Sequence, residues 1–189
     1  MFAQLDTKSV YSFMDSVVDL NSYVARAKEL GYQALGLMDR DNLYAAYHFA
    51  QLASRNGLRP LIGMEANLFY EGRKIPFRLL AKNNQGYKNL MKLATELSSG
   101  QREFTAFSDY LNAIALILPS EDWEPGMTLG SEVFIGVRPE DVGKEFDYPV
   151  VPLHTVRYFE NADRSTIQML HAISQNVSLS EASICPMNQ

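Results

Sequence analysis

Three charged side chains follow the first apolar segment of the chain, in the stretch FAQLDTKSVYSFMDS (residues 2–16). Asp6 and Lys8 are two residues apart, so on a strand their side chains point to the same side. This spacing suits a pair of metal ligands, and the carboxylate of Asp15 follows closely. A charged ammonium group has no free lone pair and cannot bind a metal ion. Lys8 therefore stands where a ligand would fit but cannot act as one.

Further charged and polar residues occur on or after later apolar segments of strand length. They are Asp39 and Arg40 after the second, Glu65 on the third, and Thr155 and Arg157 after the last. Because function in α/β folds collects where strand carboxyl ends meet their loops, we expect all these side chains to lie together. The sequence thus predicts an acidic cluster with interspersed cations.

The histidine and cysteine content limits the other chemistry that the chain can perform. There is no His-x-His, no HExxH and no glycine-rich phosphate loop. His48 and His171 lie within predicted helices and are interpreted as surface or packing residues. His154 is the histidine placed near the cluster, and alone it supports no Ser or Cys triad. A single cysteine, Cys185, excludes an internal disulfide framework and a Cys-rich zinc site.

Strands alternate with helices along the chain. Strands are predicted over residues 2–5, 32–39, 59–69, 74–82, 112–118, 132–137 and 148–154, and helices over 21–30, 42–56, 85–98 and 162–174. Nearly continuous apolar strands separated by amphipathic helices indicate a parallel sheet covered by helices. Either a closed barrel or an open doubly wound sheet fits this pattern.

The net charge of −5 is unevenly spread over the 189 residues. The first 102 residues carry 13 Lys and Arg against 9 Asp and Glu, and the remainder carries 4 against 13. The acidic part is a poor surface for nucleic acid. Seven cations of the basic part could contact nucleic acid but are interpreted as a solvated face; they are Arg73, Lys74, Arg78, Lys82, Lys88, Lys92 and Arg102.

Several blocks of the sequence resemble the PHP (polymerase and histidinol phosphatase) domain. They are YSFMDS, then VARAKELGYQALGLMDRDNLYAAYHFAQLASRNGLRPLIGMEANLF, then LLAKNNQGYKNLMKL, and finally RYFENADRSTIQMLHAI. More narrowly, the chain looks like the version of this domain that opens the alpha subunit of bacterial DNA polymerase III. The resemblance implies an α/β fold, a distorted (β/α)7 TIM-like barrel, shortened or divergent over 101–147. We expect residues 1–189 to be the N-terminal domain of a larger polymerase, with 176–189 starting the connection to the next domain.

Active members of this family hydrolyse phosphoesters with a metal cluster bound mainly by histidines. The resemblance implies that this chain has lost most of those ligands. The opening His-x-His pair falls on Asp6 and Lys8, and the histidine after the second strand falls on Arg40. The closing Asp-x-His pair falls on Thr155 and Arg157.

Other family positions are retained as acids or fall on residues that do not bind metals. The retained acids are Asp15 and Glu65, and two further ligand positions fall near Ser98 and Pro119. We therefore expect a vestigial pocket with no catalytic residue and no bound metal. Its members are Asp6, Lys8, Asp15, Asp39, Arg40, Glu65, Thr155 and Arg157.

Without a metal cluster, converging carboxylates would repel one another and raise their pKa values. We expect three cations to supply the missing positive charge, Lys8, Arg40 and Arg157. They would face four acids, Asp6, Asp15, Asp39 and Glu65. The alternative is that these cations point into water and pair with nothing.

Together with the lost ligands, the resemblance implies a non-catalytic scaffold domain at the front of a replicative polymerase that performs template-directed DNA synthesis. Its partners would be the remaining domains of that chain, other replisome proteins and, through the parent protein, DNA. Mg²⁺ would belong to the absent polymerase domain. One alternative is a residual metal-dependent phosphoesterase or 3′–5′ exonuclease with Mn²⁺ or Zn²⁺, and another is a stand-alone binding module. The chain has no long apolar run and no secretion signal, so we expect a cytoplasmic protein without a membrane span.

Overall fold

A curled sheet of seven strands forms the frame of the molecule. The computed structural model describes residues 3–130, 132–141 and 143–182. The strands are β1 (Ala3–Gln4), β2 (Asp6–Thr7), β3 (Ala34–Leu37), β4 (Arg59–Tyr70), β5 (Arg73–Ala81), β6 (Ile114–Pro119), β7 (Val133–Val137), β8 (Val150–Pro152) and β9 (Thr155–Val156). The helices are α1 (Leu20–Glu29), α2 (Ala46–Arg55), α3 (Asn84–Ser98) and α4 (Asp163–Gln175). The alternation of strands and helices predicted from the sequence is confirmed.

The order of the strands brings the sheet back onto its own first segment. The main sheet runs β1-β3-β4-β5-β6-β7-β8, and β2 forms a second, parallel ladder with β9. β2 follows β1 closely in the chain, and β9 follows β8 closely. The ladder between β2 and β9 therefore connects the two edges of the main sheet. The fold is the distorted TIM-like α/β barrel that the family resemblance implies.

One strand departs from the parallel arrangement. β5 is antiparallel to both β4 and β6, whereas β1, β3 and β4 pair in parallel, as do β6, β7 and β8. The cause is the two-residue turn formed by Glu71 and Gly72, whose φ angles are 50° and 79°. Two successive positive φ angles are those of a type I′ turn, which matches the twist of an antiparallel hairpin.

Capping explains where two helices begin and why one begins late. The carboxylate of Asp19 accepts from Ser22 N at the start of α1, and the amide oxygen of Asn83 accepts from the first turn of α3. The helix predicted from residue 42 begins at Ala46 instead. The Asn42 side chain is bonded to nearby backbone groups, a local alternative to helix formation.

Two apolar clusters pack helices against the strands that carry the charged residues. The larger packs α3, through Leu90, Leu93 and Leu97, against β4 to β7. The other packs α1 and α2 against β3, with Phe49 fully buried. The helices thus anchor the strands that carry the pocket.

The connections between β6, β7 and β8 contain 3-10 turns in their described residues. Between β6 and β7 the described residues form a 3-10 turn at Ser120–Asp122, and between β7 and β8 another at Pro139–Asp141. Neither described connection contains an α-helix. Within the ranges described here, no helix is long and apolar enough to cross a membrane.

Candidate functional site

The residues of the expected pocket converge at the carboxyl ends of the strands. The parallel ladder between β2 and β9 sets Asp6 beside Thr155, whose Oγ1 donates to Asp6 Oδ2 over 2.7 Å. An isolated bridge joins Arg40 to Glu65 in the same region. Both Asp6 and Lys8 are completely buried. The strand ends therefore assemble these residues into one polar centre inside the barrel mouth.

Lys8 lies at the middle of this centre. Its Nζ is 2.8 Å from Asp6 Oδ1 and 2.9 Å from Glu65 Oε2, and it donates to the Met38 carbonyl over 2.7 Å. An ammonium group has three N–H donors, so each donor of Lys8 has an acceptor. Lys8 thus balances two buried carboxylates at the point where they converge.

A second buried cation, Arg78, completes this charge balance. The sequence analysis placed Arg78 on the solvated basic face, and that interpretation is wrong, because its side chain is 8% exposed. Its Nε lies 3.0 Å from Asp6 Oδ2 and its Nη2 lies 3.3 Å from Glu65 Oε2. The hairpin register sets Arg78 directly opposite Glu65. Counting residues outward along both strands from the turn at Glu71 and Gly72 would have predicted this pair.

The two buried cations keep the two buried acids ionised. Burial alone would raise the pKa of Glu65, but the charges of Lys8 and Arg78 lower that pKa to about 2. Burial likewise opposes ionisation of Asp6, while the same cations and a hydrogen bond from Thr155 hold its pKa below the usual range. Burial would lower the pKa of Arg78, but the two carboxylates raise it above its ordinary value. These three groups therefore remain charged at neutral pH.

A second group of contacts surrounds Asp15. Its Oδ2 lies 2.7 Å from Arg40 Nη2, and its Oδ1 lies 3.1 Å from Arg157 Nε and 3.2 Å from His171 Nε2. Arg40 also places its Nε 3.2 Å from Glu65 Oε1. Because Arg40 contacts both carboxylates, it joins the Asp15 group to the buried centre in one ion-pair network.

Asp39 is held differently from the other acids. Its Oδ1 accepts from Ser9 N and Ser12 Oγ, and its Oδ2 accepts from Ser9 Oγ, each over 2.7 Å. The structure shows no salt bridge between Asp39 and any residue in the described part of the chain. The expectation that Asp39 faces a cation is therefore wrong. Three short hydrogen bonds from neutral donors stabilise this carboxylate instead.

The histidine that reaches the pocket is not the one expected from the sequence. His154 is exposed, and the contact shown for it is its carbonyl oxygen accepting from Gln4 Nε2 over 2.7 Å. His171 projects from α4 onto Asp15 and is largely buried. Helical position alone could not reveal this, because the contact depends on how α4 packs across the barrel mouth. Ser98 is exposed and donates to Thr95 O at the end of α3, away from this network.

Cations of the basic segment outside the pocket have local partners or are exposed. Arg102 Nη1 lies 2.6 Å from Asp41 Oδ2, Lys82 Nζ lies 2.5 Å from Glu132 Oε1, and Arg73 pairs with Glu124. Lys74, Lys88 and Lys92 are exposed. Apart from Arg78, these side chains have the environment of a surface.

The pocket does not fit a metal cluster of the kind that active family members hold. In the described ranges, no group of three or more His, Cys, Asp or Glu side chains is arranged to hold a metal ion. The carboxylate oxygens of Asp6 and Glu65 that converge on one point receive the ammonium group of Lys8. A cation bound there would meet the fixed charges of Lys8 and Arg78, and like charges repel it.

Comparison with known proteins agrees with the fold. The PHP domain model matches residues 4–175. The whole chain aligns at 44% identity over 191 residues with the DNA polymerase III subunit alpha of Streptococcus pyogenes serotype M1, of which it covers 18%. The protein of the same name from Bacillus subtilis is 33% identical over 126 residues, which are 64% of this chain and 11% of that protein. This chain spans less than a fifth of the length of these curated relatives.

One solved structure shows a partial likeness. It is an amidohydrolase from Chromobacterium violaceum, 19% identical, with a TM-score of 0.44. The alignment covers 52% of this chain and 34% of that one.

Proposed function

Because this chain belongs to the PHP domain family, we propose that it serves as a non-catalytic, metal-free scaffold domain of a bacterial replicative DNA polymerase. The identity of 44% over the whole chain with a DNA polymerase III subunit alpha supports this placement. Template-directed DNA synthesis would then be the activity of the parent protein and would use residues outside this sequence.

The position of Lys8 is the observation that carries the proposal. A phosphoesterase of this family needs metal ions where carboxylates converge, and here an ammonium group lies within 2.9 Å of both Asp6 and Glu65. Arg78 contacts the remaining carboxylate oxygen of Asp6, and Arg40 contacts the remaining carboxylate oxygen of Glu65. The network supplies the positive charge that a metal cluster would otherwise contribute, so the acids do not require a metal ion for neutralisation.

The domain boundaries and partners follow from the same placement. Residues 1–189 would act as one PHP domain, with a shortened 101–147 segment and the connection to the next domain starting at 176–189. The remaining polymerase domains and other replisome proteins would be its partners, and DNA would be reached through the parent protein. The setting would be the cytoplasm, with Mg²⁺ confined to the polymerase domain.

Metal content and nuclease activity, measured on one sample, test the proposal. The chain is purified without chelator and subjected to elemental analysis, then incubated with a 3′-labelled DNA single strand and added Mn²⁺ or Zn²⁺. We expect negligible bound metal and no digestion with either ion. Stoichiometric metal together with digestion that a chelator abolishes would overturn the proposal and favour a residual 3′–5′ exonuclease that uses Asp6, Asp15 and Glu65.

A variant that keeps the size of the side chain but removes its charge provides the control. Asp15→Asn removes one acid of the supposed residual exonuclease. If trace digestion persists unchanged in this variant, it comes from a contaminating nuclease and not from the pocket.

A further inference from the structure

A cleft on the outer surface of the barrel has the chemistry of a single-stranded nucleic-acid site, and it is separate from the pocket. It lies between the first turn of α2, the start of β4 and the start of α3, with a volume of about 310 Å³. This volume is at the lower end of the range for small-ligand pockets, about 300–1,000 Å³. Such a cleft could accommodate one nucleotide unit.

Two tyrosines provide aromatic surface at this cleft. Tyr47, on α2, is 71% exposed and lines the cleft together with Tyr87 from α3. The hydroxyl of Tyr47 accepts a hydrogen bond from Gln51 Nε2 over 2.7 Å, which orients the ring while leaving it open to solvent. Tyr44, 80% exposed, precedes Tyr47 by three residues. Exposed aromatic rings are the stacking platforms that single-stranded nucleic-acid sites use.

The charges at the cleft favour an anion. Its lining residues, all of which the structure describes, include Arg59 and Lys82 and contain no Asp or Glu. Arg59 is exposed and makes no salt bridge to any residue in the described ranges, so its guanidinium group is available for a phosphate. Lys82 is engaged by Glu132, which leaves Arg59 as the principal phosphate contact. N–H groups in the first turn of α3 already donate to the side chain of Asn83, so the helix end is not counted as a phosphate contact.

We infer that this cleft binds single-stranded DNA, with a base stacked on Tyr47 and Tyr87 and a phosphate held by Arg59. The inference rests on the proposed place in a replicative polymerase only for the choice of DNA as the polymer. The lining, all of which the structure describes, contains no Asp or Glu, and this favours a phosphate-bearing polymer over a protein partner.

Fluorescence anisotropy of a labelled oligothymidylate, about 20 nucleotides long, tests this inference on the 189-residue chain. Chelator is present throughout, and strand integrity is checked on a gel, so nuclease activity is detected separately from binding. We expect salt-dependent binding that weakens about tenfold in Tyr47→Ala. In Arg59→Ala the slope of log affinity against log salt should fall by about 0.7, the value for one phosphate contact on a single strand.

Two control variants remove comparable side chains elsewhere. Ile173→Ala removes an apolar side chain that is 63% exposed on α4, and Arg26→Ala removes an exposed arginine on α1. Both should bind the oligonucleotide like the unmodified chain. Absence of salt-dependent binding by the unmodified chain, or equal binding by the cleft variants and the controls, overturns the inference. Neither result bears on metal content or digestion, so the proposed scaffold function is judged independently.

Discussion

Replacing Lys8 by methionine removes the central charge of the network while keeping a side chain of similar length. Lys8 is fully buried, and its Nζ contacts Asp6 Oδ1, Glu65 Oε2 and the Met38 carbonyl. Removing one member of a buried ion pair costs about 3–5 kcal/mol, because the other charge remains buried without compensation. Arg78 still contacts both acids, so we expect a loss near the lower limit, about 3 kcal/mol.

Urea unfolding at neutral pH, followed by circular dichroism, measures this loss. With a denaturant slope of about 2 kcal/mol per molar, the midpoint should fall by about 1.5 M. Arg26→Met is the matched surface control, because Arg26 and Glu29 are exposed and 3.9 Å apart, and its effect should stay below about 0.5 kcal/mol. If Lys8→Met unfolds within about 1 kcal/mol of the unmodified chain, the network is not what stabilises the buried acids.

Three further perturbations examine the network and its frame. Arg40→His removes the contacts of a partly exposed side chain with Asp15 and Glu65. We expect the free energy of unfolding to fall by about 1–2 kcal/mol, with less than one metal ion per chain by elemental analysis. Restored metal binding without loss of stability would show that the ion pair is dispensable. The folded-state pKa of Glu65 is about 2 against an ordinary 4.5, so about 3 kcal/mol of stability is present above pH 4.5 and is lost as the pH falls to about 2. Urea midpoints across that range should therefore fall less steeply in Glu65→Gln than in the unmodified chain, and parallel curves would contradict this assignment. Gly36→Ala would place a Cβ atom 1.9 Å from the Leu5 carbonyl oxygen. We expect the free energy of unfolding to fall by about 3 kcal/mol or more in the same assay. A near-neutral variant would refute this packing of β1 against β3.

The fold was predictable from the sequence where local chemistry and periodicity agree. The apolar run ending at Asp39 forms β3, and the Leu90, Leu93 and Leu97 spacing forms the buried face of α3. The pattern fails where a side chain has a non-local role. The spacing of Ile167, Leu170 and Ile173 predicts one buried face for the last helix. Ile173 is nevertheless 63% exposed, because α4 packs through Ile167 and presents His171 to the pocket.

The pocket was predictable in its members on the strand ends but not in its full composition. Lys8, Arg40 and Arg157 were recognised because each stands at a family ligand position that follows a strand. Arg78 was missed because it lies inside an apolar strand, where charge is normally read as surface, and its burial is decided by the hairpin register opposite Glu65. The contact of Arg78 with Asp6, by contrast, depends on the register of strands far apart in sequence, which residue types alone do not give.

The connectivity of the network predicts that single substitutions do not create a metal site. Lys8 and Arg78 each contact both Asp6 and Glu65, and Arg40 contacts Glu65 as well as a second acid. Replacing any one of these cations by histidine supplies at most one ligand and removes a charge that two carboxylates share. The other cations then still repel a divalent ion, while the buried acids have lost part of their compensation. We therefore expect each single replacement to be less stable than the present chain and to bind less than one metal ion per chain, which urea unfolding and elemental analysis would measure.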